Sequence, residues 1–164
     1  MRVTIVASWL LAVLPVPGSS QQPSRWAASL LAGPSSYDLS GVGTAPAVAL
    51  ELAWQWTPAV VIEPGLTYFR YDPQFGSKIT HLFPELSLQF MVPRGPIRPY
   101  LGAGAGRSVV LNRPGDHLSV HATVGARVPV TSNWMARGEV RARSPHQWGA
   151  SMVDIMFGLT WRLP

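Results

Sequence analysis

The sequence predicts an all-β fold, an eight-stranded antiparallel up-and-down transmembrane β-barrel preceded by a cleavable signal peptide. Three observations predict it. First, residues 151–164 (SMVDIMFGLTWRLP) place Val153, Ile155, Phe157, Leu159, Trp161 and Leu163 at every second position, with Met152, Asp154, Met156, Gly158, Thr160 and Arg162 between them. Successive side chains of a strand point to opposite faces, so this segment has one apolar and one mixed face, over about the length a tilted strand needs to cross a bilayer. Second, seven more two-faced segments precede it, separated by alternating long and short connections. Third, 47% of the 164 residues are hydrophobic while only 13% are charged, about half the share usual in soluble proteins, and Lys78 is the sole lysine.

The N-terminus comes first. Arg2, the apolar stretch from Val3 to Val16 and the small residues Pro17, Gly18, Ser19 and Ser20 read as a secretory signal over residues 1–20, leaving 21–164 as one barrel domain. No later apolar run is long enough for a transmembrane helix, so contact with lipid requires a closed sheet. With no cysteines, stability after export must come from the sheet itself.

The first strand, 25–33, is mostly Ala and Leu and alternates least. In the second, 46–56, Val48, Leu50, Leu52, Trp54 and Trp56 alternate with Glu51 and Gln55. The third, 59–71, sets Val60, Ile62, Leu66 and Tyr68 against Glu63 and Thr67, and the fourth, 79–92, sets Leu82, Leu86, Leu88 and Phe90 against Glu85, Ser87 and Gln89. The fifth, 97–111, carries Gly102, Gly104 and Gly106 on one face. In the sixth, 117–130, seven apolar residues from Leu118 to Val130 alternate with His117, Ser119, His121, Thr123, Gly125, Arg127 and Pro129. In the seventh, 133–144, Trp134, Ala136, Gly138, Val140 and Ala142 alternate with Arg137, Glu139, Arg141 and Arg143, and the eighth is 150–162. Connections near 57–58, 93–96 and 131–132 are tight; those at 34–45, 72–78, 112–116 and 145–149 are longer. Short turns on one side and longer loops on the other are the pattern of outer-membrane barrels, and an even strand number puts both termini on the short-turn side. Pro46, Pro64, Pro84 and Pro129 dissent, because each removes a ladder hydrogen bond; Pro64 and Pro84 fall mid-strand and imply bulges or misdrawn strands.

Glu51, Glu63, Glu85, Glu139 and Asp154 share the inward face with Arg127, Arg137, Arg141 and Arg162, with Arg98 near its lower edge. An eight-stranded barrel has room inside for side chains but not for an open channel, and an uncompensated buried ion costs several kcal/mol. A crossed ion-pair network is therefore expected, with the three glycines making room for arginines. Trp26, Trp54, Trp56, Trp134 and Trp161 gather toward the short-turn end, Tyr68 and Trp148 toward the other, as aromatic girdles do.

Candidate chemistry is sparse. Gly102 to Gly106 has G-x-G-x-G spacing and runs on as strand, unlike the dinucleotide fingerprint. His117 and His121 would stand about 13 Å apart on a strand, too far for one zinc, and read as lumen or rim residues. Asp116-His117-Leu118-Ser119 has the H-x-S spacing of lipid A deacylase barrels, yet its flanking residues do not match, no acid has a place to orient His117, and the pair faces inward. The net charge of +5 is spread through alternating strands rather than gathered in a stripe, so nucleic acid is not expected. No catalytic residue, cofactor or metal is expected.

With strands, girdle and lumen in place, the chain resembles the small OmpA/OmpX-type outer-membrane β-barrels over roughly residues 25–162. The best local matches are Arg98-Pro99-Tyr100-Leu101-Gly102-Ala103-Gly104-Ala105-Gly106 and Phe157-Gly158-Leu159-Thr160-Trp161. The resemblance implies a monomeric, non-enzymatic integral protein of the outer membrane. Its lumen would be plugged by charge, its role structural or carried by its loops, and its partners outer-membrane lipid and, during biogenesis, the barrel-assembly machinery. One departure is that Arg162-Leu163-Pro164 follow Trp161, where the family usually ends on an aromatic residue. Three rivals stand beside it: a secreted lipocalin-like barrel holding a ligand against an inward apolar face, a lipid A-modifying hydrolase, and a narrow pore.

Overall fold

The computed structural model describes residues 24–37, 43–71, 79–111, 116–144 and 152–164. The expected signal segment, Trp148 and most of the longer connections lie outside the described residues. The described residues form eight strands: β1 (Trp26–Tyr37), β2 (Gly43–Thr57), β3 (Val60–Tyr71), β4 (Ile79–Met91), β5 (Arg98–Val110), β6 (Asp116–Pro129), β7 (Trp134–Ser144) and β8 (Met152–Arg162). Each pairs antiparallel with the next, and β8 pairs with β1, so the sheet is a closed barrel with no free edge.

The short connections are built by local chemistry. Thr57 Oγ1 accepts the backbone N–H groups of Ala59 at 3.3 Å and Val60 at 3.0 Å, and Thr131 Oγ1 does the same for Asn133 at 3.3 Å and Trp134 at 3.1 Å. Hydroxyls that mimic a backbone acceptor favour such tight reversals. Between β4 and β5, Gly95 holds φ at 108°, a left-handed conformation that other residues rarely adopt.

Alternation sorts the side chains as the period of two requires. Leu30, Leu50, Leu86, Phe90, Leu101, Val124, Ile155 and Phe157 are exposed on the outside, Leu101 and Phe157 each to 65%. Their neighbours in sequence, among them Ser29, Glu51, Glu85, Gln89, Thr123, Asp154 and Met156, are buried inside. A soluble fold buries its oil and wets its charge; this one does the reverse.

Strands β1 and β2 are longer than the sequence implies, because 34–37 and 43–45 are strand rather than loop. Pro34 and Pro46 stand opposite each other in the ladder, the hydroxyls of Ser36 and Thr44 lie 3.1 Å apart across it, and Ser35 donates inward to Asp154 at 2.5 Å. Side-chain hydrogen bonds thus support a stretch expected to be loop. Pro64 and Pro84 point outward without bulges. Pairing of β2 with β3 lapses between Glu51–Gly65 and Trp54–Ile62, and that of β4 with β5 between Leu82–Val109 and Glu85–Gly106, each resuming in the same register. A missing N–H costs rungs here, not register.

The interior is not wholly polar. Leu31, Phe69, Phe83, Met152 and Met156 form one apolar cluster with Ala45, Ala47 and Ala49, and Ala27, Ala53, Val61, Met91 and Tyr100 form a second. Charged residues occupy the lumen alongside them.

Candidate functional site

Three arginines of β7 organise the lumen. Their alternate positions on one strand aim Arg137, Arg141 and Arg143 inward together, each no more than 2% exposed. Arg137 lies 2.7 Å from Glu51 of β2, 2.8 Å from Glu63 of β3 and 2.6 Å from Glu139 of its own strand. Arg141 reaches Glu85 of β4 at 3.0 Å and Glu139 at 2.7 Å, and pairs with Glu51 as well. Arg143 pairs with Glu85 and, at 3.0 Å, with Asp154 of β8, while its guanidinium lies 4.3 Å over the Phe83 ring. From β6, Arg127 donates to Glu63 at 2.8 Å and to the Gln89 carbonyl at 2.7 Å.

Neutral groups complete the network. Tyr100 donates to Glu139 at 2.6 Å and accepts from Arg137 Nε at 2.8 Å, its ring lying 5.2 Å and 5.3 Å from the guanidinium carbons of Arg127 and Arg137. Gln89 donates to Glu63 at 2.6 Å. Shared ion pairs and charge-assisted bonds of this kind offset the desolvation of groups that water cannot reach. Chemically the arrangement ties seven strands, β2 to β8, together across the lumen.

Of the residues singled out from sequence, the structure joins Glu51, Glu63, Glu85, Arg127, Arg137, Glu139, Arg141 and Asp154. Arg162 does not join them. It ends β8 at the barrel mouth, where its Nη1 approaches the Ser132 carbonyl at 3.5 Å, and no acid among the described residues pairs with it. Its inward direction is right, but it lies beyond Thr160, the last buried residue of the strand. Arg143 is the converse: alternation places it inward, yet it was absent from the expected network. Tyr100, Gln89 and Ser35 were missed too, because neutral residues give no charge signal.

The lumen glycines make room, but not for arginines. A Cβ on Gly104 would stand 2.5 Å from His121 Cε1 and 2.5 Å from the Leu86 carbonyl oxygen, and one on Gly102 would meet Gln89 at 3.0 Å. His121 is buried, with Nε2 2.8 Å from Ser87 Oγ and Nδ1 3.5 Å from Glu85, whereas His117 is exposed at the start of β6. Ser87, His121 and Glu85 therefore make a hydroxyl–imidazole–carboxylate series, but it is sealed inside and Arg141 and Arg143 hold the carboxylate. Ser119 is fully buried, and its hydroxyl has no hydrogen-bond partner among the described residues, so no base is poised on it.

On the outside, Trp26 stacks on Trp54 with centroids 6.2 Å apart, and Trp134 on Trp161 at 6.0 Å. Both pairs are direct cross-strand partners at the short-turn end. Trp56 is exposed there as well, and Tyr68 is exposed on β3.

Neither a family model nor a curated relative matches the sequence. Solved structures do match the fold. Neisserial surface protein A is similar with a TM-score of 0.72 at 13% identity, over 87% of this chain and 100% of that one. The N-terminal β-barrel domain of Pseudomonas aeruginosa OprF is similar with a TM-score of 0.62 at 16% identity, over 87% and 100%. The outer membrane enzyme PagL follows with a TM-score of 0.52 at 13% identity, over 84% and 99%. The chain thus has the fold of the small eight-stranded outer-membrane barrels of the OmpA/OmpX type.

Proposed function

We propose that the chain is an integral, monomeric, non-enzymatic protein of the outer membrane, with a charge-plugged lumen and a structural or surface-interaction role carried by its loops. The observation that supports this best is the belt of exposed Leu, Val, Ile and Phe around a sheet with no free edge, bordered by stacked tryptophans. An apolar surface of that extent is unfavourable in water and favourable against hydrocarbon. The likeness to outer-membrane barrels agrees with it.

In this reading lipid surrounds the barrel, the barrel-assembly machinery delivers it, and no cofactor takes part. The lipocalin-like alternative fares badly, because it needs apolar residues turned inward around a ligand. The hydrolase alternative has the PagL fold likeness in its favour, but not the disposition of Ser119.

The test is fractionation of expressing cells followed by gels run with and without heating. Sedimentation with outer membranes and a heat-dependent mobility are expected. Recovery as a soluble periplasmic monomer refutes the reading.

A further inference from the structure

Positive charge gathers at the short-turn end of the barrel, where the lumen network does not neutralise it. A small hollow of about 30 Å³ opens there, with Arg25, Arg98, Arg127, Arg162, Gln55 and Trp26 in its lining and no aspartate or glutamate. These residues flank the three short turns, the start of β1 and the end of β8: the Arg25 carbonyl accepts from Gln55 N at 2.7 Å, and Ala27, in the same lining, lies opposite Arg162.

Arg98 of β5 stands directly across from Arg127 of β6. Directly opposed side chains begin about 5 Å apart, and like charges so placed repel. Glu63 answers Arg127, but among the described residues no acid answers Arg98, Arg162 or Arg25. Among the described residues, the Nε atoms of Arg98 and Arg127 are buried without hydrogen-bond partners, the Arg127 guanidinium being held only through Nη2 by Glu63 and Gln89. A buried charged donor atom without an acceptor is costly, and two of them beside the unanswered Arg162 imply an acceptor supplied from outside.

We propose that this mouth binds a phosphate-type oxyanion, with Arg98 and Arg162 as its direct ligands and Arg25 at its rim. Guanidinium forks match tetrahedral oxyanions, and three uncompensated cations suit a phosphate better than a single carboxylate. A hollow of about 30 Å³ takes about two water-sized atoms, so one or two oxygens of the anion enter it and the remainder of any ligand extends outward. The same chemistry arrives from two sources, free phosphate or the headgroup of a glycerophospholipid at the rim where Trp26 sits. Only the lipid source rests on the membrane reading; the oxyanion site does not.

The full chain, folded in maltoside micelles in phosphate-free buffer, is titrated with inorganic phosphate and, separately, with dihexanoyl phosphatidylglycerol while the arginine Nε–Hε resonances are followed. Heat-dependent gel mobility verifies that each variant is folded. Saturable movement of the Arg98 resonance is expected, with affinity falling about tenfold in both Arg98→Gln and Arg162→Gln. Arg94→Gln, in the β4–β5 turn outside the lining, should change it by less than about twofold. Saturation by inorganic phosphate assigns a free oxyanion, and saturation by the lipid alone assigns a headgroup. No saturation with either, or equal losses in all three variants, overturns the proposal; should Arg98→Gln fail to fold, the wild-type titration and Arg162→Gln decide it.

Discussion

Arg137→Met tests the lumen most directly. The substitution keeps an apolar stem of similar reach and deletes a guanidinium lying within 2.8 Å of Glu51, Glu63 and Glu139. Removing one partner from a buried pair costs about 3–5 kcal/mol, because the surviving charge is stranded. Three such losses do not add, since Glu51 and Glu139 keep Arg141 and Glu63 keeps Arg127. A destabilisation of about 4 kcal/mol is therefore expected rather than three times that figure. The assay is reversible urea unfolding of the chain in phospholipid vesicles, read as a shift in midpoint at unchanged slope. Adding Glu139→Gln removes one of the excess negative charges and still leaves an acceptor for Tyr100, while Arg141 keeps Glu51 and Glu85. That double variant should recover about 1–3 kcal/mol. A loss below about 1 kcal/mol in the single variant, or no recovery in the double, refutes the claim that these charges are shut off from water.

Gly104→Ala should destabilise the barrel by about 1–3 kcal/mol in the same assay, because its Cβ would meet both the His121 ring and the Leu86 carbonyl. His121→Ala should not rescue it, since the carbonyl remains. Spin labels at Val124 and Thr123 should separate the two faces in bilayers: the Val124 label open to lipid-soluble relaxants, the Thr123 label shielded from them. A reversed result removes the membrane reading. Planar bilayers containing the protein should show no discrete conductance steps, and a steady ion-selective current would mean that the arginine layer is porous.

Much of the fold was legible because alternation is the most robust signal a strand can send. On β7, four charged residues at every second position define the inward face without help from any other strand. Local composition misled where it obscured that signal. Residues 34–45 read as one long loop, yet the hydroxyls of Ser35, Ser36 and Thr44 hold 34–37 and 43–45 as strand. The apolar part of the interior was illegible for a different reason. Leu31, Phe69 and Phe83 resemble outward residues in type, and only their phase shows that they point in. Within the site, charge made the ion pairs visible, whereas Tyr100 and Gln89 became visible only once distances across the lumen were known. Arg162 failed in the opposite way: its phase is right and its depth is wrong.

The arginines of the lumen all come late in the chain, whereas its acids come from both halves, Glu139 and Asp154 lying in β7 and β8. Glu51, Glu63 and Glu85 come from β2, β3 and β4, while Arg127, Arg137, Arg141 and Arg143 all come from β6 and β7. The N-terminal half alone would present three carboxylates on its concave side with no inward arginine to meet them, and the C-terminal half would present an excess of cations. Neither half is a tolerable guest in hydrocarbon; together they are close to neutral. On the membrane reading proposed above, insertion would be coupled to closure, since the charges that forbid a partial sheet from entering lipid are paired only once β7 faces β2, β3 and β4.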